Sequence, residues 1–346
     1  LKIHQGNLIA STSGRAFWIL DDLSLIRQYK KDTSNIIMFE PSPSYLVNGS
    51  SELDENKPDF DGTNKYRGVN PSTGVVMYYQ LPTLKDSSAI LMIEIKDAAG
   101  NLVHSFSSKA DSTYKKYDGA PPKEPVLTKE KGLNRFVWNM RHATIPGIPN
   151  VYIESSFRGH KAIPGTYTIT LKAGEQQAST KAIILANPLY STTPASYTAY
   201  NSTVSAMEAD VTIIHKMINT MDAKRSQLEQ MLTTLLPTEK YTAIKTQGAA
   251  LVKRMKAWDE DMIQRKSTAY DDVENFPNKF SANYMFLLNQ SESEIPEINQ
   301  PALDLLKELN AQWTLLKNRG TDLLSKDIPA FNQTLWQAGV GAIWKN

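Results

Sequence analysis

The hydrophobic residues change their spacing once along this chain, near Asn187-Pro188, and that change constrains the fold more than any other feature. From Val75 to about Leu185 they alternate with polar residues, which is the period of β-strands. After Pro188 they recur in steps of three and four, which is the period of amphipathic helices. The sequence therefore predicts a β-rich region followed by an α-helical region.

Within the first region, alternating segments place their apolar residues on one face of each strand. These residues are Leu91, Ile93 and Ile95; Phe136, Trp138 and Met140; and Tyr167, Ile169 and Leu171. Three prolines, Pro121, Pro122 and Pro125, put the stretch between Phe106 and Leu133 in a loop. Six or seven short strands over this span predict an immunoglobulin-like or fibronectin-like β-sandwich.

Within the second region, apolar stripes predict about four helices in an up-down bundle. The first stripe runs from Val204 to Leu235, the second from Tyr241 to Met262, and further helices follow around residues 280–288 and 306–324. Pro237-Thr238 separates the first two helices, and Pro329 is expected to stop or kink the last. Since each stripe can pack on its neighbours, the bundle is expected to form a cooperative unit of its own.

The first 33 residues have a different pattern. Gly6 to Asp22 reads as two short strands joined at Ser13-Gly14, which is the pattern of a propeller-blade hairpin. Phe17-Trp18-Ile19-Leu20 are four consecutive large apolar residues, so both faces of that strand require cover. A blade cannot bury its faces alone, and the first residue is Leu, so we expect an upstream part of the protein to be missing. The predicted fold is thus multidomain, β then α: the end of a β-propeller blade at 1–33, an immunoglobulin-like sandwich at 34–190 and a helical bundle at 191–346.

Composition excludes several function classes. The 38 basic and 36 acidic residues leave a net charge of +2, which argues against a dedicated nucleic-acid binder. The chain has no cysteine, which excludes disulfides, thiolate metal sites and cysteine nucleophiles. No apolar run approaches the roughly 20 residues that a membrane helix needs.

Three segments carry a resemblance to a known family. They are Gly14-Arg15-Ala16-Phe17-Trp18-Ile19-Leu20-Asp21-Asp22, Gly132-Leu133-Asn134-Arg135-Phe136-Val137-Trp138-Asn139 and Pro164-Gly165-Thr166-Tyr167. In this order they resemble the C-terminal region of secreted bacterial sortilin-like, BNR-repeat β-propeller proteins, which are often labelled glycosyl hydrolases. Ser13 stands where that family usually has His, so no role of that His carries over. The resemblance implies a periplasmic or extracellular location, a signal peptide removed with the upstream part, and any active site in the upstream propeller.

Two acidic motifs invite a chemical interpretation. Asp21-Asp22 offers two adjacent carboxylates, which could serve acid–base chemistry. Neighbouring strand residues point in opposite directions, however, and Asp22 is a good helix N-cap, so a structural role is favoured. Asp59 to Asn64 resembles part of a calcium loop but lacks the closing glutamate, so a solvated loop is favoured and calcium binding stays open. No catalytic, cofactor or metal residue is assigned.

Six residues are candidates for contact with a ligand. Arg141-His142 and Arg158-Gly159-His160 flank a loop between two predicted strands, where they would form a cationic rim for a carboxylate or a sugar acid. Tyr152 and Phe157 lie in the same loop and are the aromatic candidates for sugar contact, since Trp138 and Tyr167 fall on the core face. The composition of this loop is ordinary, which favours a purely structural role.

These observations predict a non-catalytic accessory region that supports a secreted β-propeller, without cofactor, nucleic acid or membrane span. Its expected partner is the upstream propeller of the same protein, with a glycan left open as a second ligand. One alternative is that the chain lines part of a glycan-acting hydrolase whose active site lies mainly in the upstream propeller. Another is a carbohydrate-binding module, which would need exposed aromatic residues on its sheets.

Overall fold

The structure is a computed structural model that describes residues 1–31, 34–56, 58–64, 66–84, 88–235, 238–292 and 295–340. Pro237, which the sequence places between the first two long helices, lies outside these ranges. Of the described helices, none is both long and apolar enough to cross a membrane.

The chain begins with a small antiparallel sheet in which β2 pairs with both of its neighbours. Its strands are β1 (Lys2–His4), β2 (Asn7–Ser11) and β3 (Phe17–Leu20), and a short helix, α1 (Leu23–Gln28), follows. The predicted two-stranded hairpin is therefore a three-stranded sheet. Sequence reasoning missed β1 because its three residues are all exposed and show no alternation of burial.

Two further sheets, of five and three strands, share one hydrophobic core. Their strands, separated by one 3-10 turn (Glu52–Asp54), are β4 (Ile37–Met38), β5 (Ser44–Tyr45), β6 (Val75–Leu81), β7 (Leu91–Lys96), β8 (Leu102–Ser107), β9 (Gly132–Trp138), β10 (Gly165–Ala173) and β11 (Gln176–Leu185). The five-stranded order is β5-β11-β10-β7-β8, and the three-stranded order is β4-β6-β9. Aromatic contacts join the two sheets, with Phe106 on Phe136 and Trp138 edge-on to Tyr167.

The helical region follows the predicted stripes closely but differs in its layout. Its helices are α2 (Pro194–Thr234), α3 (Glu239–Met262), α4 (Asp272–Asn275), α5 (Phe280–Ser291), α6 (Gln300–Asp322) and α7 (Ile328–Gln337). Pro329 stands in the first turn of α7, after a π-helical segment at Leu323–Asp327. A proline has no backbone N–H to donate, so the helix widens before it instead of ending.

The predicted fold class is wrong. The described part of the chain is a mixed α/β structure with three sheets, one of them curled into a half-barrel, and it is not an immunoglobulin-like sandwich followed by an up-down bundle of four helices. The helices range from 4 to 41 residues, so they cannot line up as equal members of a bundle. Two strands of two residues, β4 and β5, also join the sheets, and β5 pairs parallel with β11. Strands this short carry no period, so the spacing of apolar residues could not reveal these pairings.

The connection from β9 to β10, residues 139–164, links the sheets to the helices. Five of its apolar residues belong to the same hydrophobic cluster as the helices: Ile145, Ile148, Val151, Ile153 and Phe157. The helical region therefore does not build its core from its own stripes alone. This connection also carries all six residues predicted to contact a ligand.

Candidate functional site

The structure places the six predicted ligand-contact residues at the junction of sheets and helices, in very different surroundings. Phe157 and His160 are buried, Arg141, His142 and Tyr152 are half-buried, and Arg158 is exposed. The β9–β10 connection holds two of them against each other, because the His142 N–H donates to the His160 carbonyl oxygen at 2.9 Å.

His160 makes a buried ion pair with α2. Its Nδ1 lies 2.8 Å from Glu208 Oε2, its backbone N–H donates to Glu208 Oε1 at 2.6 Å, and its Nε2 lies 3.0 Å from Asn201 Oδ1. Because both ring nitrogens face acceptor oxygens, this arrangement suits the doubly protonated imidazolium. Burial by itself lowers the pKa of His160, but the hydrogen bond and charge of Glu208 outweigh it and raise the pKa above 6.5.

His142 stacks on that ring and stays neutral. The two ring centroids are 4.0 Å apart and the planes differ by 14°. Burial and the neighbouring His160 charge lower the pKa of His142 to about 3. His142 is therefore uncharged at neutral pH, while the raised pKa of His160 favours its charged form, which is paired with Glu208. The two rings form a structural stack in which the cationic ring faces Glu208.

The close approach of this loop to itself requires a glycine at position 159. A Cβ there would lie 2.5 Å from the His142 carbonyl oxygen and 2.6 Å from that of Ala143. Since both atoms belong to the backbone, they cannot move aside as a flexible side chain would. Gly159 thus allows the His142–His160 stack to form.

Arg141 ties the same connection to the end of α5. Its Nη1 donates to the Gly159 carbonyl oxygen and to Glu292 Oε1, both at 2.7 Å. The two side chains are about one-fifth exposed, so this pair is less screened by water than a surface ion pair. Arg141 is thus the predicted rim residue that stays close to solvent while being held in one orientation.

The two predicted aromatic contacts have separate environments. Phe157 lies in the helical core, with its ring centroid 5.9 Å from that of His215. Tyr152 packs edge-on to Tyr270 at 6.2 Å, and its backbone N–H donates to the Ser267 carbonyl oxygen. Arg158 is exposed and has no ion pair within the described ranges. These residues do not converge on one surface.

Sequence reasoning missed the groups that complete this junction. Glu208 and Asn201 come from α2, Glu292 follows α5, and Lys161 and Tyr197 line a cavity beside Arg141. Each is a polar residue next to an apolar stripe or strand, and such positions are usually solvated. No local signal marks them, because they meet the loop only after the chain has folded.

Comparison with known protein families, with curated proteins and with solved structures finds no match for this chain.

The second candidate site is the β1–β3 sheet, whose last strand is apolar and open to solvent. The exposed fractions are 74% for Phe17, 43% for Trp18, 61% for Ile19 and 49% for Leu20. Successive strand residues point to opposite faces, so both faces of β3 expose large apolar side chains. We call these four residues the β3 patch.

β3 is also an edge strand. In the described part of the chain it pairs with β2 on one side only. The first 31 residues contribute nothing to either hydrophobic cluster that the structure describes. An edge strand with apolar side chains on both faces is a template for pairing with another sheet.

A groove of about 320 Å³ separates the β3 patch from the segment around residues 53–71. Asp21 lies at its end, where burial and then the charge of Asp22 raise the pKa of the Asp21 carboxyl. Asp22 accepts a hydrogen bond from Ser42 Oγ at 2.8 Å and another from Ser24 Oγ. Both residues line a second cavity next to the groove, so the two carboxylates are neighbours there although their hydrogen bonds differ.

In the loop at residues 59–64, which resembles part of a calcium loop, the Asp61 carboxylate accepts hydrogen bonds from the loop itself. Asp61 Oδ1 accepts the Thr63 backbone N–H at 2.9 Å and the Thr63 hydroxyl at 2.7 Å. Across the described ranges, no group of three or more His, Asp or Glu side chains is arranged to hold a metal ion.

Proposed function

We propose that this chain is a non-catalytic support module that docks onto a β-propeller of a secreted protein through its β1–β3 sheet. The observation that carries the proposal is the β3 patch, an edge strand whose four large apolar side chains are all exposed. Leaving one such side chain in water forgoes about 1.5–3 kcal/mol of burial free energy. A partner sheet that covers the patch would recover that free energy and would also pair the open edge of β3.

The surroundings of the titratable groups support a structural role for the rest of the chain. His160 is paired with Glu208, and His104 Nε2 lies 3.2 Å from Glu124. His215 donates from Nδ1 to the Pro146 carbonyl oxygen at 2.6 Å, while the Ser281 hydroxyl lies 2.8 Å from its Nε2. Each of these groups joins two segments that are far apart in sequence. We therefore assign them to holding the sheets, loops and helices together.

We propose a propeller as the partner because the three segments similar to the BNR-repeat family occur in this chain in the same order as in that family. In the family that they resemble, such a strand belongs to the last blade of the propeller, and the chain continues from it into the two later segments. The alternatives, a wall of a glycan-acting hydrolase or a carbohydrate-binding module, would use carboxylates or exposed aromatic rings. Trp138, Tyr167 and Phe157 are buried. Phe17 and Trp18 do expose their rings, but they form one run with two aliphatic residues on an open strand edge. Such an edge suits pairing with another sheet better than contact with a sugar, so we favour docking.

The first test is the natural gene that encodes this chain. Codons upstream of Leu1 should contain repeated Ser-x-Asp-x-Gly-x-x-Trp blade motifs. The encoded propeller and this chain are then produced as separate polypeptides and titrated by calorimetry. A one-to-one complex is expected. A gene without such blades would refute the proposal.

The second test asks whether the β3 patch makes the contact. Ile19→Lys should abolish the complex, while the chain itself keeps its stability within about 0.5 kcal/mol because the side chain is already exposed. Ile213→Lys is the matched control, since Ile213 on α2 is also exposed and lies far from β3 in the sequence. Docking through β3 would be contradicted if both variants lost binding equally, or if both bound as tightly as the native chain.

A further inference from the structure

An asparagine is followed by a glycine once in this sequence, at Asn48-Gly49. Asparagine is one of the chemically labile residues of proteins, because the backbone nitrogen of the next residue can attack its side-chain carbonyl carbon. A glycine in the next position has no Cβ to hinder that attack, and its backbone reaches angles that other residues rarely adopt. Whether the reaction takes place then depends on how the fold holds these two residues.

The structure leaves Asn48-Gly49 open to solvent and unrestrained. The dipeptide lies in an irregular stretch between β5 and the 3-10 turn at Glu52–Asp54, and both residues are exposed. Within the described ranges, neither residue makes a hydrogen bond through its backbone or its side chain. Gly49 has a φ of +127°, and a Cβ built on it would meet no heavy atom within 4 Å. The Gly49 N–H is therefore free to approach the Asn48 side chain.

The fold protects the asparagines that precede other small residues. Asn201 and Asn310 are followed by serine and alanine, and they lie within α2 and α6. Inside a helix, the N–H of the following residue is bonded to a carbonyl oxygen one turn earlier, so it is held away from the asparagine side chain. Asn201 Oδ1 also lies 3.0 Å from His160 Nε2. Sequence and structure therefore both single out Asn48.

We propose that Asn48 is a site of spontaneous deamidation, which converts it to isoaspartate and aspartate. The deprotonated Gly49 nitrogen attacks Asn48 Cγ and forms a five-membered succinimide ring, while the Cγ–Nδ2 bond breaks and the side-chain nitrogen leaves as ammonia. Water then opens the ring. Opening at the main-chain carbonyl carbon of residue 48 gives isoaspartate, and opening at Cγ gives aspartate. An amide and one water thus become a carboxylate and an ammonium ion, without any oxidant or reductant.

The product carboxylate would stand at the junction of the sheets and the β9–β10 connection. Asn48 lines a cavity of about 180 Å³ together with Arg141 and Lys161. The Lys161 Nζ donates to the carbonyl oxygen of the preceding residue, Val47. Deamidation therefore adds a negative charge close to two cations and lowers the net charge of the chain by one. No residue of β3 lines this cavity, so the modification is independent of docking through the β3 patch.

The test incubates the full chain in neutral and in mildly alkaline buffer and maps its peptides by mass spectrometry. The peptide that contains residue 48 should gain one mass unit and divide into two new chromatographic peaks, with isoaspartate in excess over aspartate. The rate should be higher in the alkaline buffer, because the Gly49 nitrogen must lose its proton before it attacks. When the incubation is made in heavy-oxygen water, both products should carry one heavy oxygen atom, since water opens the ring. A synthetic peptide of residues 44–53, incubated in parallel, gives the rate of the unrestrained sequence.

Asn48→Gln keeps the amide but would have to close a larger ring, so the mass gain should disappear. Asn64→Gln is the matched control, since Asn64 is also exposed in a loop but precedes lysine, and the gain at residue 48 should persist in it. The proposal is overturned by either of two results. These are an unchanged Asn48 in the full chain after the synthetic peptide has reacted, or a mass gain that persists in Asn48→Gln.

Discussion

His160 keeps its charge in a buried position because Glu208 accepts from both its ring and its backbone N–H. We predict that Glu208→Gln lowers the free energy of unfolding near pH 6.5 by about 2 kcal/mol, the usual value of a hydrogen bond to a charged group. The pKa of His160 is raised in the folded chain, so the stability from this pair is fully present below pH 6.5. It is lost as the pH rises through the folded pKa. Urea unfolding from pH 6.5 upward should therefore show a decline in the native chain that Glu208→Gln lacks.

The test must start at pH 6.5 and go upward, because two other histidines lower the free energy of unfolding as the pH falls. The pKa of His142 is lowered to about 3 and that of His215 to about 4, in both cases mainly by burial. Their contributions to stability are lost as the pH falls below 6.5, so the test of His160 runs upward from there. Glu260→Gln, an exposed change on α3, is the control. If the native chain and Glu208→Gln keep the same pH slope, the ion pair does not control it.

At the level of elements, the segment that contains β1–β3 and α1 is joined to the larger sheets by hydrogen bonds made after β3, including that of Asp22 with Ser42. The Lys30 carbonyl oxygen accepts a hydrogen bond from Gln80 Nε2, and Gln28 pairs with the backbone of Glu40. We predict that deleting residues 1–33 leaves both hydrophobic cores folded, with a loss of about 1–3 kcal/mol because the buried Gln80 amide loses its partner. Deleting only residues 1–22 keeps Lys30 and should cost less. Circular dichroism of both deletion variants measures the retained secondary structure, and calorimetry measures the loss of stability. Collapse of the β-sheet signal after the longer deletion would mean that β1–β3 is an integral part of the larger sheets.

At the scale of the whole molecule, the β9–β10 connection couples the sheets to the helices. Phe157 belongs to this connection but is buried in the helical core. We predict that Phe157→Ala destabilises the chain by about 3–5 kcal/mol, the usual cost of removing a buried aromatic ring. The helical signal at 222 nm and the β-sheet signal should shift to lower temperature together. Arg158→Ala, the exposed neighbour, is the control and should shift neither. Two separate transitions, with only one of them displaced, would show that the helices fold as an independent unit.

Local elements can be predicted from the amino-acid sequence where the hydrophobic period extends over enough residues. Leu91, Ile93 and Ile95 are buried in β7, with Met92 exposed between them, as their alternation predicts. The stripe from Val204 to Leu228 is buried along α2 for the same reason. A side chain's position within a strand or helix follows from its spacing, and spacing is a property of neighbouring residues. The apolar run of β3 could also be predicted from the sequence. Its exposure to solvent in the folded chain could not.

Which elements pack against each other depends on the folded arrangement of the whole chain. The parallel pairing of β5 with β11 joins residues about 140 positions apart, and neither strand's composition specifies the other. His160 and Glu208 are 48 residues apart, and Arg141 and Glu292 are 151 apart, so their charges are coupled only after packing brings them together. The same packing buried Phe157 and made His142 neutral. These outcomes depend on burial and on charges from distant segments, which act through space and leave no mark in the local sequence.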